Sequence, residues 1–189
     1  PGSERWAQVV FRPGCEPVEN LGIAAASLFG LDHDSRGIQA FVEECAQNPR
    51  AVHQRVGVAL AERPESDRVV LLIDQFEELF THCEDEDKRL RFIELLVQAA
   101  SVVAGKVIVI IAWRADFVGR CAAYPGLANL ISSHEELVGP LAEEGLRAAI
   151  GRPAEMAGRP VAPELVEILV KAIAASSAGL PLLQHTLML

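Results

Sequence analysis

The sequence predicts an α/β fold in which a parallel sheet is flanked by helices and followed by a small helical lobe. Residues 69–73 (VVLLI) and 106–113 (KVIVIIAW) are almost entirely apolar. Runs of this length favour strands that are buried on both faces of a parallel sheet. Between them, apolar side chains in residues 90–104 recur at the spacing of a helix. This alternation of strand and helix patterns predicts the α/β class.

The segment before the first apolar run predicts one strand and three helices. A strand is expected at Trp6–Phe11, where turn residues follow, and a helix at Pro17–Phe29, which is rich in alanine and leucine. Two more helices are expected between residues 35 and 63, with a break near Asn48 and Pro49. These helices would cover the sheet.

The last third of the chain predicts a short strand and two helices. The strand is expected at residues 135–138, at the edge of the sheet, and a helix follows it. Residues 163–175 carry apolar side chains along one helical face and predict a second helix. We therefore expect an α/β core at residues 1–150 and the start of a helical lid domain at residues 151–189.

The composition favours a cytoplasmic protein that binds neither nucleic acid nor membrane. Seventeen lysine and arginine residues against 26 acidic residues give a formal net charge of −9, without a basic stripe that could contact a phosphate backbone. The four cysteines form no CxxC pair, which disfavours a zinc site and a redox dithiol. The longest apolar runs fall short of the ~20 residues of a spanning helix, and no signal peptide is expected.

Charged residues follow both apolar runs. Asp74 comes directly after the first run, with Glu77 and Glu78 shortly beyond it, and Arg114 comes directly after the second. Ligands of open α/β sheets bind beyond the carboxyl ends of the strands, where Asp74 would meet a hard cation and its phosphates. The alternatives are that Asp74 only caps the next helix and that Arg114 is a solvated arginine paired with Asp116.

Three motifs resemble one family of nucleotide-binding proteins. Residues 74–80 (DQFEELF) resemble the Walker B element of the STAND NTPases, the signal-transduction ATPases with numerous domains, and particularly of the bacterial branch often fused to WD-repeat propellers. Residues 113–121 (WRADFVGRC) are similar to the segment after the sensor strand of that branch. Gly179–Pro181 resembles the GxP motif of the STAND helical domain, although Gly-x-Pro is also ordinary at helix boundaries.

The resemblance implies a P-loop NTPase-like core that binds Mg²⁺ with ATP or ADP. Asp74 would hold the Mg²⁺, usually through water, and Glu77 or Glu78 would orient or activate the attacking water. Arg114 would be the polar sensor near the terminal phosphate, and Pro181 would approach the adenine. The sequence leaves open which glutamate acts as the base, because this depends on the turn after Asp74.

The chain departs from the family pattern in two places. It has no GxxxxGK[ST] loop, whose amides and lysine provide most of the grip on phosphates. Gln75 stands where many P-loop ATPases have an acid directly after the Walker B aspartate. We therefore expect a fragment that lacks the first strand and the P-loop, and that by itself is inactive and does not bind ATP measurably.

The leading hypothesis is a nucleotide-dependent signalling switch, an ATPase in the full-length protein. The resemblance implies that its partners are other domains of the same polypeptide, a propeller or an effector, and that it self-associates on activation. The alternative is a catalytically inactive NTPase-like scaffold or interaction module. A third hypothesis, an origin-recognition-like ATPase acting on DNA, is weakened by the acidic charge.

Overall fold

Three parallel strands form the sheet in the computed structural model, which describes residues 3–31 and 35–174. The strands are β1 (Trp6–Phe11), β2 (Arg68–Ile73) and β3 (Val107–Ile111). They pair in the order β1-β2-β3, so the strand that precedes Asp74 lies in the middle. Both pairs are parallel and helices flank the sheet, which confirms the predicted α/β class.

The register brings the carboxyl ends of the strands to one edge of the sheet. Ile73, the last residue of β2, lies opposite Phe11 on one side and Ile111 on the other. Alternate side chains of β2, those of Val69, Leu71 and Ile73, are fully buried. Residues that follow the strands therefore meet at this edge, as the sequence predicts.

The eight α-helices of the described residues are α1 (Pro17–Phe29), α2 (Ser35–Gln47), α3 (Ala51–Ala61), α4 (Glu78–Thr81), α5 (Glu86–Ala100), α6 (Pro125–His134), α7 (Glu143–Met156) and α8 (Pro163–Ala174). Short 3-10 helices occupy Ser3–Arg5 and Ala115–Ala123. The predicted helices of the first half are confirmed. Helix α6 has no predicted counterpart, because its ten residues bury only one side chain fully, that of Leu127.

The predicted strand at residues 135–138 is wrong, because this segment is irregular. Its apolar side chains, those of Leu137 and Val138, face solvent, and Val138 is 89% exposed. A strand requires a neighbour that pairs with its backbone N–H and C=O groups. The described strands pair only with one another, so the apolar composition of this segment alone does not produce a strand.

The chain divides into two compact units, Pro1–Glu135 and Glu136–Leu189. In the described part of the second unit, Leu146 and Ile150 of α7 pack with Val170 of α8. Arg147 of α7 adds an ion pair to Glu167 of α8, with 2.6 Å between Nε and Oε1. The predicted boundary after residue 150 falls inside α7, and the lid role of the second domain stays a prediction.

The turn between α5 and β3 contains a non-glycine residue in the left-handed region, Ala104, with φ = 57°. This conformation costs a residue with a Cβ atom about 1–2 kcal/mol, whereas glycine loses about 0.5–1 kcal/mol more entropy on folding. We therefore expect Ala104→Gly to stabilise the protein by about 0.5–1 kcal/mol, a rise in Tm of about 1–4 °C. Thermal denaturation would measure it.

The neighbouring residue provides a matched control for this substitution. A Cβ atom at Gly105 would lie 2.7 Å from the backbone oxygen of Val102, so Gly105→Ala should lower the Tm. If Ala104→Gly also lowers the Tm, the left-handed strain at residue 104 does not limit stability.

Candidate functional site

Asp74 is held by both neighbouring strands at the carboxyl edge of the sheet. Its backbone N–H donates to the carbonyl oxygen of Phe11 at 2.9 Å. On the other side, the N–H of Ala112 donates to the oxygen of Ile73 at 2.9 Å, and the N–H of Phe76 donates to the oxygen of Ala112 at 3.0 Å. Strand pairing thus continues past β2 and fixes the backbone position of Asp74.

The carboxylate of Asp74 is partly open to solvent and contacts two groups. Its Oδ1 accepts a hydrogen bond from the backbone N–H of Gln75 at 3.0 Å. Its Oδ2 lies 3.6 Å from Nε of Arg12, and the side chain of Asp74 is 46% exposed. The capping alternative does not apply, because α4 begins only at Glu78, after Glu77 as its N-cap. The carboxylate is therefore accessible to a ligand.

The turn after Asp74 is anchored by a buried ring. Gln75 has φ = 51°, a left-handed backbone that L-residues rarely adopt. The next side chain, Phe76, is fully buried, and its ring centroid lies 5.9 Å from that of Phe80, 6.4 Å from Phe92 and 5.8 Å from Trp113. The aromatic cluster fixes the chain direction that determines where the two following glutamates point.

Glu78 is engaged in contacts within the protein. Its side chain is only 16% exposed, and Oε2 lies 3.9 Å from Nδ1 of His82. With the amide of Gln75 oriented to satisfy both neighbours, Gln75 donates to Oε1 of Glu78 at 2.9 Å and accepts from Nη2 of Arg12 at 3.1 Å. The carboxylate of Glu78 thus holds the turn in place.

Glu77 differs from its neighbour, because one of its carboxylate oxygens has no partner. Oε2 of Glu77 is buried and makes no hydrogen bond to any described residue. The negative charge of Glu77 also helps to raise the pKa of the Arg114 guanidinium, after the larger effect of the hydrogen bonds to Asp116. A buried polar oxygen without a partner is costly, and such atoms often mark a functional site.

Arg114 follows β3 and is paired with Asp116. Its Nε and Nη2 donate to Oδ1 and Oδ2 of Asp116 at 3.1 and 3.0 Å. These hydrogen bonds hold the pKa of Asp116 below its usual value. The side chain of Arg114 is 70% exposed, so the ion pair that the sequence offered as the alternative is present and weak. The sensor role of Arg114 stays a prediction.

Arg12 joins the candidate site residues, whereas Pro181 cannot be placed among them. Arg12 is a site residue that the sequence patterns do not reveal, because its contact with Asp74 depends on β1 lying beside β2. The signal that could have found it is its position directly after a predicted strand, like Asp74 and Arg114. Pro181 lies outside the described residues, so its predicted approach to adenine stays a prediction.

The donors at this edge fit a cation that keeps part of its water shell. Within residues 3–31 and 35–174, no group of three or more His, Cys, Asp and Glu side chains converges as metal ligands. Mg²⁺ commonly binds through one or two carboxylates together with waters and substrate phosphates. The exposed carboxylate of Asp74 suits this mode. Among the described residues, each helix is too short or too polar to span a bilayer.

Comparison with known proteins identifies one family. The model of the family described as Novel STAND NTPase 1 matches residues 1–189, the whole chain. No curated protein and no solved structure matches the chain.

Proposed function

Because the chain belongs to the novel STAND NTPase 1 family, we propose that it is the nucleotide-dependent switch module of a signalling ATPase. Membership of this family implies nucleotide binding in general. The observation that carries the finer proposal is the arrangement of Asp74, Glu77 and Arg114 at the carboxyl edge of the sheet. An exposed carboxylate, a carboxylate oxygen without a partner and an exposed guanidinium suit a metal, a water and a phosphate, respectively.

Asp74 is the proposed ligand of Mg²⁺, directly or through water. Its backbone is fixed on both sides, while its Oδ2 lies 3.6 Å from Nε of the Arg12 guanidinium. When bound, Mg²⁺ would neutralise charge that develops on the nucleotide phosphates. The contribution of the protein is to hold Asp74 in one position, so that the cation and the phosphates meet at the end of β2.

Glu77 is the proposed general base. A base must accept a proton from the attacking water, and no described residue occupies Oε2 of Glu77, which can accept the proton once the turn moves to admit a water to this buried oxygen. Glu78 is less suited, because Gln75 and His82 already face its oxygens. We therefore assign water activation to Glu77 and positioning of the turn to Glu78.

Arg114 is the proposed sensor of the terminal phosphate. Its ion pair with Asp116 is exposed and contributes little, so a more highly charged phosphate can replace the carboxylate at small cost. Arg114 would bind the terminal phosphate when ATP is present and return to Asp116 when ADP is bound. Pro181 would contribute contacts to the adenine. Propeller or effector domains of the same polypeptide would receive the signal in the cytoplasm. The active form would self-associate.

A nucleotide-binding scaffold without catalysis is the second candidate. It is favoured by Gln75, which can position a water but cannot accept its proton. Both candidates bind nucleotide, but only the ATPase hydrolyses it. Binding is therefore the first property to test.

We expect Asp74→Asn in the whole protein to weaken Mg²⁺-dependent nucleotide binding by at least about tenfold, since a hydrogen bond to a charged group contributes about 1.5–3 kcal/mol. Asparagine preserves an oxygen that can accept from the N–H of Gln75, so the Tm should change little. Calorimetric titration with ADP, with Mg²⁺ and with EDTA, measures the effect.

The matched control is Asp67→Asn, which removes a similarly exposed carboxylate just before β2, at the opposite edge of the sheet. It should leave nucleotide binding unchanged. Mg²⁺-dependent binding of Asp74→Asn at the parental affinity would remove Asp74 from the metal role.

A further inference from the structure

Arg12 connects β1 to the candidate metal ligand. It directly follows β1, whose last residue Phe11 lies opposite Ile73. This register brings Nε of Arg12 to 3.6 Å from Oδ2 of Asp74. With the Gln75 amide in the orientation that also satisfies Glu78, Nη2 of Arg12 donates to the side-chain oxygen of Gln75 at 3.1 Å.

The contacts of Arg12 include the carboxylate oxygen that a cation would use. Oδ1 of Asp74 is taken by the N–H of Gln75, and Oδ2 faces the guanidinium. Two cations beside one carboxylate repel one another, and the repulsion is appreciable within about 4 Å at a partly exposed site. Arg12 and a divalent cation therefore cannot both be at their most favourable positions beside Asp74.

We propose that Arg12 is a built-in counter-cation of Asp74, which a divalent metal arriving with the nucleotide must displace. This proposal rests on the proposed function and specifies how metal binding at that site is regulated. Arg12 neutralises part of the carboxylate charge while the site holds no metal, so cations without a nucleotide bind more weakly. Displacement of Arg12 also removes its hydrogen bond to Gln75, the residue that faces Glu78. Metal binding is thereby coupled to the turn that carries Glu77.

The expected size of the effect is modest. The side chains of Arg12 and Asp74 are 56% and 46% exposed, so solvent screens the pair. Exposed ion pairs of this kind change an equilibrium by about twofold to fivefold. This restraint, the competition of Arg12 with the metal for Asp74, should therefore raise the Mg²⁺ concentration needed for binding rather than block binding. Its effect should weaken at high salt.

The test measures how much Mg²⁺ is needed for ADP binding by the whole protein. A fluorescent ADP analogue is held at fixed concentration and Mg²⁺ is titrated at low ionic strength. Arg12→Gln, which removes the charge, should lower the half-saturating Mg²⁺ concentration about twofold to fivefold. Arg12→Lys, which retains the charge, should stay close to the parent.

The matched control is Arg5→Gln, which removes the same charge before β1, at the opposite edge of the sheet, where Arg5 pairs with Asp67. It should not change the Mg²⁺ requirement. If ADP binds and Arg12→Gln needs as much Mg²⁺ as the parent, or more, the restraint is disproved while nucleotide binding stands.

Two further outcomes separate the remaining explanations. Weaker binding of Arg12→Gln in EDTA would make Arg12 a phosphate ligand and would overturn the restraint. Absence of ADP binding by the parent at any Mg²⁺ concentration would overturn the proposed function, and the restraint with it.

Discussion

Glu77→Gln is expected to slow hydrolysis of Mg-ATP by the whole protein by about 10²- to 10⁴-fold, the usual contribution of a general base. Glutamine preserves the shape of the side chain but cannot accept the proton of the attacking water. Because Oε2 of Glu77 is buried without a described partner, removal of the charge should not lower the Tm. Single-turnover hydrolysis measures the rate, and calorimetry verifies that Mg-ATP still binds.

The adjacent residue provides the matched control. Glu78→Gln should slow hydrolysis by less than about tenfold, because Glu78 acts on the turn through Gln75 and His82 rather than on the water. It should instead lower the Tm slightly. Equal turnover in Glu77→Gln and the parent would show that the base lies elsewhere. A parent protein that binds ATP without hydrolysing it would favour the scaffold.

Phe76→Ala is expected to destabilise the protein by about 3–5 kcal/mol, the usual cost of removing a buried phenylalanine ring. Phe76 is fully buried and contacts the rings of Phe80, Phe92 and Trp113. Urea denaturation can be followed by tryptophan fluorescence, to which Trp113 contributes, and the ring centroid of Trp113 lies 5.8 Å from that of Phe76. The change should also weaken nucleotide binding, because Phe76 sets the direction of the chain between Asp74 and Glu77.

Two control variants test whether the loss of buried volume at Phe76 causes this effect. Phe76→Leu keeps most of the buried volume and should cost less than Phe76→Ala. Leu90→Ala truncates an exposed apolar side chain of α5 and should change stability by less than about 0.5 kcal/mol. A cost below about 1 kcal/mol for Phe76→Ala would mean that the aromatic cluster does not anchor the turn.

Local sequence patterns were sufficient to predict most helices and strands of the first unit. The bounds of β1 and α1 agree with their sequence patterns, and β2 and β3 occupy the two apolar runs. These elements are predictable because their periodicity and their turn residues are local properties of the chain. Residues 135–138 illustrate the opposite case, since an apolar segment becomes a strand only when another strand pairs with it.

The sequence by itself identified the residue types of the candidate site, Asp74, Glu77, Glu78 and Arg114, and the edge at which they lie. The tertiary structure decided their surroundings. Pairing of β1 with β2 brings Arg12 to Asp74, and the left-handed turn at Gln75 gives the two glutamates different neighbours. Contacts of this kind depend on strand order and chain direction, which are set by packing between residues distant in sequence.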